Sequence, residues 1–197
     1  MTRNRWTILA LLFLARAAMG FQFQTVGSTA PVLVDTLALD YAALGTLIGL
    51  YMLPGVFIAL PGGVLGARFG TKTVVVAGLA LMAAGGVLMG LSTSFAGLSV
   101  GRLLSGTGAV LMNVLMTKMV TDWFAGREIG TAMAILISSW PLGLALGLLT
   151  FVPLAAWLGW QAVMHAAALM CGVWLIALAI VYRDPPERRP SRRRGSR

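Results

Sequence analysis

The chain has 197 residues, 58% of them hydrophobic and only 11% charged, with 24 glycines. Soluble domains carry about 25% charged residues, so this composition excludes a water-soluble globule and points to a membrane protein. The net charge is +9, about half of it from the tail after Tyr182, so the basic balance speaks of orientation in a bilayer before nucleic acid. The single cysteine, Cys171, excludes an intrachain disulfide and a cysteine-based metal site.

Six apolar segments follow one another, each long enough to cross about 30 Å of hydrocarbon as a helix. They run over residues 6–33, 42–66, 73–91, 95–120, 129–151 and 160–182 and predict an all-α, polytopic six-helix bundle over 1–182. The breaks, at 35–40, 67–72, 92–94, 122–128 and 153–159, are short and rich in turn residues. Residues 183–197 carry no apolar side chain after Arg183; this basic tail is expected to be disordered and to lie on anionic headgroups.

The first span carries Arg16, ten positions after Trp6 and so about 15 Å into the membrane. A charge there costs about 2.5–3.5 kcal/mol on the mildest scale, and such a residue faces protein or a wet cavity. Two readings are open: an anion-handling site, or a structural Arg bonded to helix carbonyls. Gly20, Phe23 and Gly27 share its face, and Gln22, Gln24 and Thr25 add polar groups that contact substrate or link helices.

In the second span Pro54 and Pro61 are expected to kink the helix. The fourth has the clearest polar stripe: Arg102, Gly106, Ala109 and Asn113 fall on one face, with Ser105 and Thr117 beside it. Arg102 is read as a cavity residue beside small neighbours, or as a buried structural Arg. In the fifth span Pro141 is a kink and Trp140 packs inside or lines a cavity, whereas Trp6, Trp123, Trp157 and Trp160 fall at predicted interfaces. Gly86/Gly90, Gly97/Gly101 and Gly143/Gly147 have the spacing of close helix approach. His165, in the sixth span, is a candidate proton site or a plain hydrogen-bonding group. No Asp or Glu falls within a span, which argues against proton coupling through an intramembrane carboxylate.

Arg3, Arg5, Arg68, Lys72, Lys118, Arg127, Arg183 and the tail collect at one set of span ends; the opposite loops carry Asp35 and Asp40 and no Lys or Arg. By the positive-inside rule both termini are cytoplasmic, which requires an even number of spans. Residues 2–17 also have the outline of a signal peptide, ending in Ala15-Arg16-Ala17, but the apolar stretch runs on to Pro31 and cleavage would leave an odd number of spans.

Between the second and third spans, Gly63-Val-Leu65-Gly-Ala67-Arg68-Phe-Gly70-Thr71-Lys72 resembles the G-x-L-a-D-R-x-G-R-K loop of the major facilitator superfamily. Arg102-Leu-Leu-Ser-Gly106-Thr-Gly108-Ala109 resembles its fourth-helix motif, Trp123-Phe-Ala-Gly-Arg127-Glu128 its W-F-x-x-R-E segment, and Leu158-Gly-Trp160-Gln its L-G-W-R opening of helix six. The resemblance implies one six-helix half of that fold, in a bacterial inner membrane. It also implies a secondary carrier working by alternating access without a cofactor, and it assigns Gly63, Arg68, Gly70 and Lys72 to a cytoplasmic gating loop. Ala67 stands where the family has Asp, so the latch made by that Asp is not implied here.

The general look is that of nitrate/nitrite and cyanate carriers, and a small anion suits Arg16. Arg16, Gln24, Arg102 and Asn113 are then the candidate substrate residues, and the expected partner is a second six-helix half, from another copy or a separate chain. A non-transporting membrane partner, or a piece of a longer carrier, is the alternative reading. An intramembrane serine protease using Ser105 and His165 is a rival, but their estimated depths differ, about 15 Å against 7 Å, and Leu103 breaks the G-x-S-G signature.

Overall fold

The computed structural model describes residues 4–126 and 128–183. Seven helices make the six spans: α1 (Arg5–Leu37), α2 (Tyr41–Met52), α3 (Pro54–Phe69), α4 (Thr71–Leu91), α5 (Phe95–Phe124), α6 (Ile129–Leu158) and α7 (Trp160–Val181). All six spans have the length and apolarity to cross a membrane. Large apolar side chains such as Phe57, Leu60, Leu149 and Trp157 point outward, as a lipid-facing surface requires.

Side-chain oxygens set the starts of three helices. Asn4 accepts from the Trp6 amide, Asp40 from Ala43 and Ser94 from Gly97, each satisfying an N–H that the first turn leaves free. The α3–α4 and α6–α7 junctions turn on Gly70 (φ +87°) and Gly159 (φ +83°), conformations that a Cβ disfavours.

The helices outrun the expected spans where the chain turns polar. Residues 153–158, read as a loop from Pro153 and the turn at Gly159, are the last turns of α6. A proline within a membrane helix removes one hydrogen bond, and Gly159 is where the chain leaves the helix. At Pro54 the hydrogen-bond ladder is interrupted as expected of a kink: α2 stops at Met52 and α3 starts on Pro54, while Leu53 between them stays right-handed (φ −53°, ψ −42°) and donates to the Gly49 carbonyl, so the two helices form one span.

In the packing, α4 lies along α5 and α7, α1 lies along α6 and α7, and α2 and α3 rest on α5. Glycine lets the backbones touch. A Cβ built on Gly78 would fall 2.8 Å from the Gly108 carbonyl oxygen, and one on Gly85 would fall 2.5 Å from that of Gly101. At the basic end, Arg5 Nη2 meets Glu128 Oε2 at 2.7 Å and the Trp6 ring stands edge-on to Phe124. The expectations for Arg3, Arg127 and most of the tail (184–197) lie outside the described residues.

Candidate functional site

Arg16 sits about a third of the way along α1 and reaches across the bundle. Its Nε and Nη2 both donate to Asn113 Oδ1 on α5, at 3.2 and 2.8 Å. Its Nη1 donates to the Leu136 and Ile137 carbonyls of α6, at 2.8 and 3.3 Å, with the Ser139 hydroxyl at 3.5 Å. The Leu136 carbonyl also accepts from the Ser139 hydroxyl; Pro141 accounts for the availability of the Ile137 carbonyl alone. It has no N–H to give the carbonyl four residues back, which is that of Ile137, and its ring pushes that turn open.

The guanidinium remains half-buried and forms one wall of an open cavity of about 310 Å³, lined also by Asn113, Met19, Tyr51, Met52, Ala109, Val110 and Trp140. Among the described residues one Nη2 hydrogen has no acceptor. Among the described residues no carboxylate pairs with Arg16; the ion pairs there are Arg5–Glu128 and Lys118–Asp122, at the bundle end. The arrangement is chemically a lone cation beside aromatic and thioether walls, suited to an anion with an apolar body.

Arg102 lies elsewhere. It is fully buried, and it donates to the Gln22 and Phe23 carbonyls of α1 at 3.4 and 3.1 Å. Its charge lies over the Tyr51 ring, 5.4 Å from the centroid, and its Nε has no acceptor. The polar stripe of α5 is thus divided: Arg102 and Gly106 pack on α1 and on the backbone of Tyr51, while Ala109 and Asn113 face the cavity.

Arg16 and Asn113 are therefore brought together, and Gln24, Arg102 and His165 are not in the cavity lining. Gln24 leans its stem on Gly147 of α6, and the exposed His165 ring lies against Gly90 of α4. Gln22 is a helix linker, donating to the Met82 carbonyl at 2.6 Å. Ser105 directs its hydroxyl to the same carbonyl at 3.5 Å, so it forms no dyad with His165. The loop residues lie together at the basic end: Gly63 exposed on α3, Arg68 in its last turn with its charge 5.4 Å from the Phe69 ring centroid, Gly70 at the turn and Lys72 in the first turn of α4.

Tyr51 is the residue that sequence reasoning missed. Its buried ring contacts Phe23 edge-on, supports Arg102 and walls the cavity, and its hydroxyl donates to the Met19 carbonyl at 3.3 Å. The signal available was a Tyr three residues before Pro54, where a helix break opens room at mid-span.

The pattern of motifs and the six-span architecture have counterparts in known proteins. The family model described as Major Facilitator Superfamily matches residues 12–197. The inner membrane transport protein YajR of Escherichia coli is 34% identical over 137 residues, which cover 70% of this chain and 28% of that protein. The 4-hydroxybenzoate transporter PcaK of Pseudomonas aeruginosa is 29% identical over 196 residues, which cover 98% of this chain and 43% of PcaK. The chain thus spans less than half the length of these relatives. The inward-open structure of the E. coli xylose transporter XylE matches with a TM-score of 0.81 at 15% identity, covering 92% of this chain and 49% of that one. The six membrane-crossing helices and the family match over nearly the whole chain lead to one conclusion: this chain belongs to the major facilitator superfamily of membrane transporters.

Proposed function

We propose that the chain is one half of a secondary carrier for a small organic carboxylate, working by alternating access in a bacterial inner membrane with both termini cytoplasmic. The observation that carries this reading is Arg16: a mid-membrane cation with no acidic partner among the described residues, one free N–H, and a cavity of about 310 Å³ in front of it. A charge placed there at a cost of about 2.5–3.5 kcal/mol is best explained by an anion that it meets in use.

The cavity holds about ten times a water molecule's share of liquid volume, more than nitrate, nitrite or cyanate needs. Its Tyr51, Trp140, Met19 and Met52 walls suit a ring, and PcaK is by name a carrier of an aromatic acid. We therefore take an organic, ring-bearing carboxylate in preference to an inorganic anion. Its carboxylate would lie on Arg16 and the Asn113 amide, with the ring between the aromatic and thioether walls. The partner is a second six-helix bundle, and the Gly63–Lys72 loop at the basic end would gate the cytoplasmic side.

Titration of 4-hydroxybenzoate into the purified chain in lipid discs tests the site. Saturable binding that Arg16→Ala abolishes is expected. Arg16→Lys should weaken it about tenfold or more, because an ammonium keeps the charge and loses the planar fork. Binding of equal strength in Arg16→Ala would overturn the assignment. Native mass measurement of the discs, expected to give two six-helix bundles per particle, tests the partner; single bundles with retained binding would refute the pairing alone.

A further inference from the structure

The side chain that braces Arg16 carries one step more, which rests on the carboxylate reading above. Asn113 Oδ1 accepts from both Nε and Nη2, at 3.2 and 2.8 Å, so one oxygen spans a guanidinium edge on which a carboxylate would form a two-point grip. Asn113 thus stands where an aspartate would complete an ion pair, and it holds the cation without cancelling its charge. An amide has an oxygen end and an NH2 end, and the partner decides which end faces it. Arg16 offers hydrogens only, so the oxygen faces Arg16 and Nδ2 is turned from it. Asn113 is exposed on the cavity lining, and among the described residues neither Nδ2 hydrogen has an acceptor.

The lining is consequently rich in donors and poor in acceptors. It offers the remaining hydrogen of Arg16 Nη2 and both hydrogens of Asn113 Nδ2. Among the described residues two side-chain oxygens belong to it. That of Asn113 is engaged by Arg16, and that of Tyr51 is buried, its hydroxyl donating to the Met19 carbonyl at 3.3 Å. A carboxylate accepts only and matches such a wall. A carboxamide or a protonated acid of the same shape brings hydrogens that meet few acceptors, and a donor left unpaired on binding weakens it.

The geometry points to Asn113 as the residue that sets the charge the site accepts: its amide, held oxygen-first by Arg16, leaves the guanidinium uncancelled and makes the pair select the ionised form of an acid over its neutral isosteres. One atom decides the sign. Asn113→Asp exchanges Nδ2 for an oxygen, which turns the brace into an ion pair, makes the pair neutral and puts an acceptor where the ligand had met a donor. The site then takes the carboxamide and rejects the carboxylate.

The test compares 4-hydroxybenzoate with 4-hydroxybenzamide on the full chain in lipid discs. The wild type should bind the carboxylate at least about tenfold more tightly than the carboxamide. Asn113→Asp should invert the order, losing about tenfold or more for the carboxylate and binding the carboxamide the better of the two. Equal binding of both ligands by the wild type, or wild-type affinity for the carboxylate in Asn113→Asp, would overturn the charge-setting role. So would an assembled variant that loses both ligands, which is the behaviour of a merely structural Asn. Should the variant fail to assemble, the wild-type protein decides. The chain has two asparagines, Asn4 and Asn113, so side-chain ¹⁵N labelling of asparagine gives two amide signals, and Asn4→Ser, which keeps a helix cap, assigns them. Carboxylate binding should move the Asn113 amide protons downfield; an unmoved Asn113 signal with the carboxylate bound would overturn the proposal. Absence of any carboxylate binding to the wild type, or its persistence in Arg16→Ala, would instead overturn the carboxylate reading on which it rests.

Discussion

Replacing Gly143 by Ala should loosen the seam between α1 and α6. The new Cβ would lie 2.9 Å from the Phe21 amide nitrogen and 3.0 Å from the Ala17 carbonyl carbon, and nearer still to the Ala17 oxygen. All three are backbone atoms, so no rotamer relieves the contact and the helices must separate. With backbone on every side the upper half of the overpacking range applies, about 2–3 kcal/mol, and the better helix propensity of Ala returns about 1 kcal/mol, leaving a net loss of about 1–2 kcal/mol. Gly172→Ala is the control: a Cβ there meets nothing within 4 Å, so only the propensity gain of up to about 1 kcal/mol remains. Unfolding of the two variants in graded SDS and dodecyl maltoside mixtures, followed by tryptophan fluorescence, gives the comparison. The midpoints should move in opposite directions. Equal shifts, or a Gly143→Ala midpoint at or above wild type, would refute the claim that backbone contact at this seam sets the packing.

Three further outcomes are expected. Arg102→Met should leave stability unchanged or raise it by up to about 3 kcal/mol, because Arg102 is a buried cation with no acidic partner among the described residues and the α1 carbonyls it contacts lie within a continuous helix; a marked loss in the same unfolding assay would contradict this. Arg5→Ala should cost no more than about 1 kcal/mol, and the difference should fade at high salt, since the pair with Glu128 is open to solvent, Glu128 exposed and Arg5 partly so. Tyr51→Phe removes one long hydrogen bond, to Met19, at a cost within about 1.5 kcal/mol and should leave 4-hydroxybenzoate binding intact, whereas Tyr51→Ala opens the cavity wall and should weaken binding in the same titration.

The six spans were legible because lipid imposes one requirement, an unbroken apolar helix of membrane length, and hydropathy reports it directly. The helix ends were less legible. Pro153 looks like a loop residue in isolation, yet α6 continues to Leu158, since one missing amide is a small defect in a long helix. Arg16 stood out because a charge at mid-span is costly, and its partner Asn113 stood out because it lies on a polar stripe. What the sequence does not display is which neighbours a helix face meets. Arg102 and Asn113 share a stripe, yet one is sealed under α1 and the other opens to the cavity. Tyr51 is polar at one atom only, so periodicity counts it as apolar. The Ile137 carbonyl carries no side-chain signature, and the proline that exposes it reads merely as a kink.

The seam between α4 and α5 has a mechanical consequence. Where Gly78 faces Gly108 and Gly85 faces Gly101, main chain rests on main chain, with the side chains of Met82, Met89 and Met112 packed beside the points of contact. Such a contact has little compliance: it cannot absorb a small tilt by rotamer changes, and it yields only by coming apart. The two helices therefore behave as a single beam. The pliant elements are the proline-bearing spans, α2–α3 with its break at Leu53 and α6 with Pro141 and Pro153. Tilt between the helices is therefore accommodated at the prolines rather than along the glycine seam, and two of them stand close in sequence to residues that line the cavity, Pro54 two positions after Met52 and Pro141 beside Trp140.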